Sequence, residues 1–359
     1  MKNSSSVNLP IGIALLPIIF LVLLLSINVF IYGDDSLNGT NQFILILSGL
    51  FGASIGFIYK VSYKDILTSI SNSVKSVTGA LLILLFVGAL AGTWMISGII
   101  PSMVYYGLKI LDPNIFLPAC IIICSIISVA TGSSWTTSAT VGIALVGIGQ
   151  ALGISAGMVG GAVISGAYFG DKLSPLSDTT NLAAAVTKVD LFKHIKYLTY
   201  TTIPSITITF IVFIILGFLQ VSDGSTDNTY LLSAISEKFN ISLVLFIVPL
   251  LVLIMIIKKT PPLIALVIGT LTGALFSIIF QPQIISELSS GSNSKLVNTY
   301  VVIMDTITGP ISIETNNELL NDLFSTGGML GMLNTIFLVI GTMVFGGVMD
   351  AIGALKTIS

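Results

Sequence analysis

Apolar runs of about 20 residues recur along this chain, and that is the length an α-helix needs to cross the hydrocarbon core of a bilayer. The 359 residues are 54% hydrophobic and only 8% charged, whereas a soluble domain carries about 25% charged residues. A backbone in lipid must satisfy its own hydrogen bonds, which favours helices. The sequence therefore predicts an all-α polytopic membrane protein whose partner is the lipid bilayer.

The apolar runs fall into simple spans and two irregular regions. Simple spans are expected at 10–32, 42–59, 78–100, 195–219, 241–257, 262–280 and 331–349. Residues 115–130 and 141–152 are each short for a crossing and flank a polar tip, TGSSWTTSAT (131–140). We interpret about 115–152 as a re-entrant hairpin, with two short crossings as the alternative. Residues 281–330 form a polar insert.

A polar stretch, SGAYFGDKLSPLSDTTN (165–181), interrupts the apolar segment 154–187. A charged group in hydrocarbon costs several kcal/mol, so charged residues at this depth are functional candidates. Pro175 lacks an amide donor, and with Gly166 and Gly170 it argues against one continuous helix. The sequence predicts a broken helix over about 154–187, interrupted at 171–179. Its freed carbonyls must be buried in protein or line a polar cavity.

The oxygen-bearing side chains of the broken helix and the tip suit a hard cation such as sodium. The candidate ion-binding residues are Asp171, Asp178, Ser174, Ser177, Thr179, Thr180, Asn181, Thr131, Ser133, Ser134, Thr136 and Thr137. We expect Na⁺ at Asp171 and Asp178, with the tip hydroxyls facing them. Two alternatives stay open: the hydroxyls only pack helices together, or the two carboxylates are an inert buried pair.

A carboxylate that holds either a proton or a sodium ion, but not both, exchanges one for the other when access alternates between the two sides of the membrane. Lys172 could pair with Asp171 or Asp178 in the ion-free state. The alternative is that its ammonium group reaches water from the edge of the broken helix. The transported Na⁺ and H⁺ are cargo, and no cofactor is expected.

The order of elements predicts an inverted repeat. Residues 1–220 would form the first repeat: three scaffold helices, the hairpin, the broken helix and a following helix. Residues 221–359 would start the second repeat, whose own hairpin and broken helix are expected past residue 359. The second repeat is therefore expected to be incomplete.

The positions of the charged residues predict how the chain is oriented in the membrane and argue against some binding partners. All fourteen basic residues are lysines, so no bidentate arginine clamp on a carboxylate or phosphate is available. No basic patch indicates nucleic acid. Most lysines fall on the side of the N-terminus, which predicts a cytoplasmic N-terminus in the cytoplasmic (inner) membrane. The first apolar run is too long for a signal-peptide core and is expected to be retained.

Several segments resemble the NhaC-type sodium/proton antiporter family of the ion-transporter superfamily. They are ISGAYFGDKLSPLSDTTNLA (164–183), ATGSSWTTSATVGIALVGIGQALGI (130–154), GALAGTWMISGIIPSMVYYGLKI (88–110) and FGGVMDAIGAL (345–355). The resemblance implies sodium–proton exchange on a scaffold of hairpins and interrupted helices. It also implies an alternative, since some members exchange organic anions of the malate/lactate type with sodium and protons. By resemblance, Asp171 and Asp178 with the adjoining hydroxyls handle the ion.

Other functional classes fit the sequence less well. An intramembrane aspartyl protease needs two aspartates on facing helices, whereas Asp178 follows Asp171 by seven residues, and Tyr168 stands where a Gly-x-Gly-Asp pattern needs glycine. A structural subunit would tolerate replacement of both aspartates. We therefore expect a secondary active transporter rather than an enzyme, either of sodium and protons or, as the alternative, of organic anions or amino acids. A homodimer is one option for its assembly.

Overall fold

The computed structural model describes residues 9–110, 112–132, 134–175, 177, 179–180, 183–184, 189–220, 228–258, 260–289, 294–315 and 318–358. The chain divides into two compact units. One comprises Met1–Leu85 with Gly331–Ser359, and the other comprises Phe86–Leu330.

Helices dominate both units. In chain order they are Ile11–Tyr32, Thr40–Ile58, Tyr63–Ile96, Ile99–Ile110, Pro113–Thr131, Ser134–Thr137, Ile143–Ala151, Ala156–Leu173, Leu191–Gln220, Asn228–Lys238, Ile247–Ile257, Pro262–Phe280, Pro282–Leu288, Lys295–Thr308, Glu318–Leu323, Gly328–Gly331, Leu333–Ala351 and Ala354–Ile358. Short 3₁₀ turns cover Gly33–Leu37 and Leu243–Phe246, and a π-helical segment covers Ser138–Gly142. Two short strands, Ile311–Ser312 and Ser325–Thr326, pair antiparallel.

Six of the described helices are long and apolar enough to cross a membrane, or up to seven spans if a bent pair counts as one. The predicted all-α polytopic membrane fold is confirmed. Helices lie at Ile11–Tyr32, Thr40–Ile58 and Pro262–Phe280, close to the predicted spans. The inverted repeat, with its division at residue 220, stays a prediction.

The third span begins earlier than the predicted residue 78. Its helix runs from Tyr63 to Ile96 and includes most of the polar link 60–75. The Ser62 hydroxyl accepts a hydrogen bond from the Asp65 amide (3.1 Å) and donates one to the Asp65 carboxylate (2.7 Å). This cap starts the helix in the polar part of the sequence. The apolar run predicted only the part of the helix that lies in the membrane. The helix itself extends beyond that run into polar sequence.

The predicted span 241–257 is instead one arm of a bent pair. Helical structure over Leu243–Ile256 meets the preceding Leu231–Lys238 at an angle of 84°. Between them, the buried side chain of Gln281 donates to the Asn240 carbonyl and accepts from the Asn240 amide, each at 3.0 Å. These two bonds satisfy backbone groups that the bend leaves outside a helix.

The unit of 9–85 and 331–358 packs through small residues and through polar contacts between helices. A Cβ on Gly52 would lie 3.3 Å from the Val348 side chain, so the helices Thr40–Ile58 and Leu333–Ala351 approach closely there. The fully buried amide of Gln42 donates to the carbonyls of Leu37 (2.7 Å) and Asn334 (3.1 Å). Small residues and interhelical hydrogen bonds replace the hydrophobic effect as the source of association in lipid.

Candidate functional site

The first arm of the predicted hairpin is the helix Pro113–Thr131. Asp112 caps its start by accepting from the Asn114 amide at 2.8 Å, and Pro113 follows at the first helical position, where its missing amide costs nothing. The helix ends at Gly132, whose φ of 69° is left-handed and whose amide donates to the Ser128 carbonyl. Glycine adopts this conformation without a steric cost. The chain therefore leaves the first arm at the predicted polar tip.

The second arm contains a π-helical segment. A short helix, Ser134–Thr137, leads into π-helical Ser138–Gly142 and then the helix Ile143–Ala151. Segments of this kind are rare and occur often at functional sites. Sequence reasoning expected an apolar arm from 141 and gave no sign of the π turn.

The helix Ala156–Leu173 lies directly against the first arm. A Cβ at Gly170 would lie 2.5 Å from the Ser125 carbonyl oxygen and 2.6 Å from the Ser128 Cβ, and a Cβ at Gly166 would collide with the Ile121 carbonyl. The prediction that these glycines help to break the helix is wrong, since both lie inside a continuous helix. Their function is close packing against the first arm.

The interruption begins at Ser174, three residues later than predicted. Ser174 is extended (φ −80°, ψ 128°) and precedes Pro175, which disfavours helical conformation in the residue before it. The Thr180 hydroxyl donates to the Lys172 carbonyl at 3.2 Å, and the Ser174 hydroxyl donates to the Val129 carbonyl at 2.8 Å. Helical backbone recurs at 179–180 and 183–184. Hydroxyl groups therefore satisfy carbonyls at the break and fix it to the first arm.

Asp171 lies in the last turn of the helix Ala156–Leu173, which is the half-helix that precedes the interruption. At this position it meets the tip. Its carboxylate accepts a 2.8 Å hydrogen bond from the hydroxyl of Ser134, a residue only 4% exposed. Asp171 itself is half-buried. The C-terminal end of a helix carries a partial negative charge that favours cations. The carboxylate, the hydroxyl oxygen and the helix terminus together form a small region suited to a monovalent cation or a proton.

The other predicted residues are distributed around this pair. Ser177 and Thr180 are buried, their neighbour Thr179 is exposed, and the Ser177 and Thr179 hydroxyls lie 2.9 Å apart. Thr137 is fully buried. Asp178, Asn181 and Ser133 lie outside the described residues, as do the side chains of Thr131 and Thr136. Lys172 is exposed and forms no ion pair with any described residue.

Ser128 was not among the predicted residues, although it joins two helices of the candidate site. Its buried hydroxyl donates to the Ala167 carbonyl at 2.5 Å, joining the first arm to the half-helix one turn before Asp171. Ser128 follows Ser125 by three residues and therefore shares its helical face. Gly166 and Gly170 pack against that face. Two serines three residues apart, shortly before a polar tip, were therefore the sequence feature that could have identified Ser128.

Comparisons with known proteins identify the family to which the chain belongs. The model of the Na+/H+ antiporter family matches residues 166–359. The chain is 39% identical over 342 residues to the malate-2H(+)/Na(+)-lactate antiporter of Bacillus subtilis (strain 168), covering 95% of this chain and 69% of that protein. It is 35% identical over 314 residues to the Na(+)/H(+) antiporter NhaC of Alkalihalophilus pseudofirmus, covering 88% and 65%.

A third relative is the arginine/ornithine antiporter ArcD of Halobacterium salinarum, 34% identical over 354 residues, covering 97% of this chain and 69% of that protein. The chain thus spans about two thirds of the length of these relatives. No solved structure matches it. With a family model over more than half of its residues and relatives above 30% identity along most of its length, this chain belongs to the Na+/H+ antiporter family.

Proposed function

We propose that the protein is a secondary active transporter that exchanges Na⁺ for H⁺ across the cytoplasmic membrane by alternating access. The observation that carries the proposal is the hydrogen bond between Ser134 and Asp171, at the C-terminal end of an interrupted helix. It brings a carboxylate and a hydroxyl together where a helix terminus already favours a cation. Membership of the antiporter family supports the same function.

The chemistry follows from what each group can do. Without a cation, the Ser134 hydroxyl donates to the Asp171 carboxylate. A hydroxyl also has acceptor lone pairs, so the same oxygen can rotate to coordinate Na⁺ beside the carboxylate. When Asp171 takes up a proton, the carboxyl group becomes a donor and the hydroxyl accepts from it. Sodium and proton therefore compete for one carboxylate, which is the requirement for exchange.

The remaining predicted groups complete this proposal. Asp178 would supply a second carboxylate to the Na⁺, and Asn181 a neutral oxygen, with further oxygens from the tip and from Ser174, Ser177, Thr179 and Thr180. No resident cofactor is needed, because both ions are cargo. We place the N-terminus in the cytoplasm on the basis of the lysine distribution. A homodimer is the candidate assembly.

A flux assay tests the proposed exchange. Everted membrane vesicles containing this chain are acidified by respiration, and an internal pH dye is followed when sodium chloride is added. Sodium-dependent alkalinisation that choline chloride does not produce supports Na⁺/H⁺ exchange. No sodium response in vesicles that contain the inserted protein would contradict it.

A second candidate function is exchange of organic anions or amino acids coupled to these ions. Two relatives carry names that describe such exchange, one for malate and lactate and one for arginine and ornithine. In the same vesicles, sodium-dependent proton movement that requires an added organic solute would favour this second function.

A further inference from the structure

Thr202 carries a buried hydroxyl that none of the described residues satisfies. It lies on Leu191–Gln220, the helix that follows the interrupted segment, and it is 8% exposed. Its side-chain oxygen is enclosed and has no hydrogen-bond partner in the described part of the chain. Most buried hydroxyls are paired, and an unpaired one costs free energy because it has lost its hydrogen bonds to water. Valine has the same shape without that cost, so the hydroxyl at position 202 requires an explanation.

Neighbouring threonines on this following helix satisfy their hydroxyls locally. The hydroxyls of Thr201, Thr207 and Thr209 donate to carbonyls three or four residues earlier, at 3.1, 2.8 and 2.9 Å. This is the usual way in which a helical threonine pairs its hydroxyl. Thr201 and Thr207 are also exposed. Thr202 differs from them both in its burial and in the lack of a carbonyl partner among the described residues.

The face of the following helix that carries Thr202 packs against the half-helix. A Cβ at Gly161 would lie 3.3 Å from the ring of Phe213, so these two residues are in contact. Thr202 precedes Phe213 by eleven residues, about three helical turns, and therefore shares its face. Lys172 follows Gly161 by the same eleven residues. If the two helices run antiparallel, Thr202 lies at the depth of Lys172.

A second contact fixes the direction and gives the same depth. A Cβ at Gly217, near the end of the following helix, would collide with the Asn114 carbonyl, near the start of the first arm. The following helix therefore runs opposite to the first arm. Thr202 precedes Gly217 by fifteen residues, and Val129 follows Asn114 by fifteen, which places Thr202 at the depth of Val129. The Val129 carbonyl accepts from Ser174, the first residue of the interruption.

We propose that the Thr202 hydroxyl is a further oxygen ligand of the sodium ion at the interruption. The inference rests on the proposed function, because the ion is its cargo. A hydroxyl oxygen suits a hard cation, and the end of the half-helix favours one at this depth. Ser134 belongs to the tip and Asp171 to the half-helix. With Thr202, the ion would also bind the following helix, so that sodium binding would hold three elements of the site together.

Thermal unfolding of the purified protein in lipid nanodiscs, over a range of sodium chloride concentrations, tests the proposal. A ligand of the folded state raises the thermal midpoint. Thr202→Val should raise the half-maximal sodium concentration for this effect about threefold to tenfold. In choline chloride alone, Thr202→Val should keep or raise the midpoint, because it removes an unpaired buried hydroxyl without changing the shape of the side chain.

Three further variants separate the hydroxyl from the packing of the side chain. Thr202→Ser keeps the hydroxyl and should bind sodium nearly as the natural chain does. Thr202→Ala removes the hydroxyl with a smaller side chain and should weaken sodium binding as Thr202→Val does. Thr201→Val is the matched control, since the exposed Thr201 hydroxyl donates within its own helix. It should leave the sodium response unchanged.

Each contrary result overturns a stated claim. Equal half-maximal sodium concentrations for Thr202→Val and the natural chain exclude the hydroxyl as a ligand. If Thr202→Ser weakens sodium binding as much as Thr202→Val does, the shape of the side chain is what matters. If sodium raises the midpoint as proposed but vesicles show no sodium-dependent proton movement, the ligand is supported and the proposed exchange is contradicted. If the natural chain responds to sodium in neither measurement, both proposals are contradicted.

Discussion

The Ser134 hydroxyl donates a 2.8 Å hydrogen bond to a carboxylate oxygen of Asp171, 37 residues further along the chain. The bond joins the tip between two helical arms to the end of an interrupted helix. Both partners carry oxygens, and the hydroxyl can change from donor to acceptor. The same two side chains can therefore stabilise the ion-free state and contribute ligands to the ion-bound state.

Removing the Ser134 hydroxyl should weaken sodium binding without abolishing exchange. We expect Ser134→Ala to raise the KM for sodium about threefold to tenfold, since a single hydrogen-bonding group contributes about 1 kcal/mol. Ser134→Thr retains a hydroxyl and should restore most of the affinity. The measurement is sodium-dependent alkalinisation of everted vesicles over a range of sodium concentrations.

The matched control for this variant is Ser165→Ala. The Ser165 hydroxyl bonds the Gly161 carbonyl of its own helix at 2.7 Å, so its loss leaves the site intact. If Ser134→Ala and Ser165→Ala give the same KM as the natural chain, the hydrogen bond to Asp171 has no part in sodium binding.

Lys172 places a positive charge next to Asp171 in the sequence, on an exposed part of the helix end. A nearby positive charge disfavours binding of a cation. Lys172→Ala should therefore lower the KM for sodium, by less than about fivefold because exposed charges are screened, and change the maximal rate less. Lys193→Ala removes another exposed lysine, further along the chain, as the control. An unchanged or higher KM for sodium in Lys172→Ala would contradict this electrostatic effect of Lys172 on the site.

Gly170 permits the close approach between the half-helix and the first arm. Gly170→Ala places a methyl group 2.5 Å from the Ser125 carbonyl oxygen, so the helices must separate. We expect a loss of about 1–3 kcal/mol in stability, as for overpacked cores, seen as a lower thermal midpoint of the monodisperse purified protein. Gly157→Ala has open space around it and should keep or raise that midpoint. Equal midpoints for both variants would argue against tight packing at Gly170.

Thr180 stabilises the interruption through its hydroxyl. The group donates to the Lys172 carbonyl at 3.2 Å, in a side chain only 4% exposed. Thr180→Val keeps the shape and removes the donor, which should cost about 1 kcal/mol and lower the thermal midpoint. Thr180→Ser keeps the donor and should behave more like the natural chain. If valine is tolerated and serine is not, shape rather than hydrogen bonding is what position 180 requires.

Much of the architecture could be predicted from the sequence, because lipid imposes a strict length and polarity on a crossing helix. The spans at Ile11–Tyr32 and Pro262–Phe280 follow from that rule. The meeting of the tip with Asp171 was also expected, since polar groups in an apolar environment seek each other. The sequence could therefore predict that the tip and Asp171 lie close together, and the role of these residues in ion binding stays a prediction.

Finer features depended on contacts that a sequence does not display. The sequence predicts that Gly166 and Gly170 break the helix, because glycine has a low helix propensity. It does not show that the backbone of a neighbouring helix lies against both residues. The break begins at Ser174 rather than Asp171, since Pro175 restricts the residue immediately before it. At the 84° bend before Leu243, Gln281 bonds the backbone of Asn240, 41 residues away, and no local pattern reveals that pairing.

Asp171 is proposed to hold either a sodium ion or a proton, and the exchange of radioactive sodium in proteoliposomes measures whether its carboxylate is needed. Asp171→Asn keeps the size of the side chain and a hydrogen-bonding partner for Ser134, and it removes the titratable charge. We predict sodium exchange at the level of protein-free liposomes for Asp171→Asn, with normal insertion and thermal midpoint, and the same loss for Asp178→Asn. Normal sodium exchange by Asp171→Asn, with the usual dependence on pH, would show that the Asp171 carboxylate does not hold the transported ion.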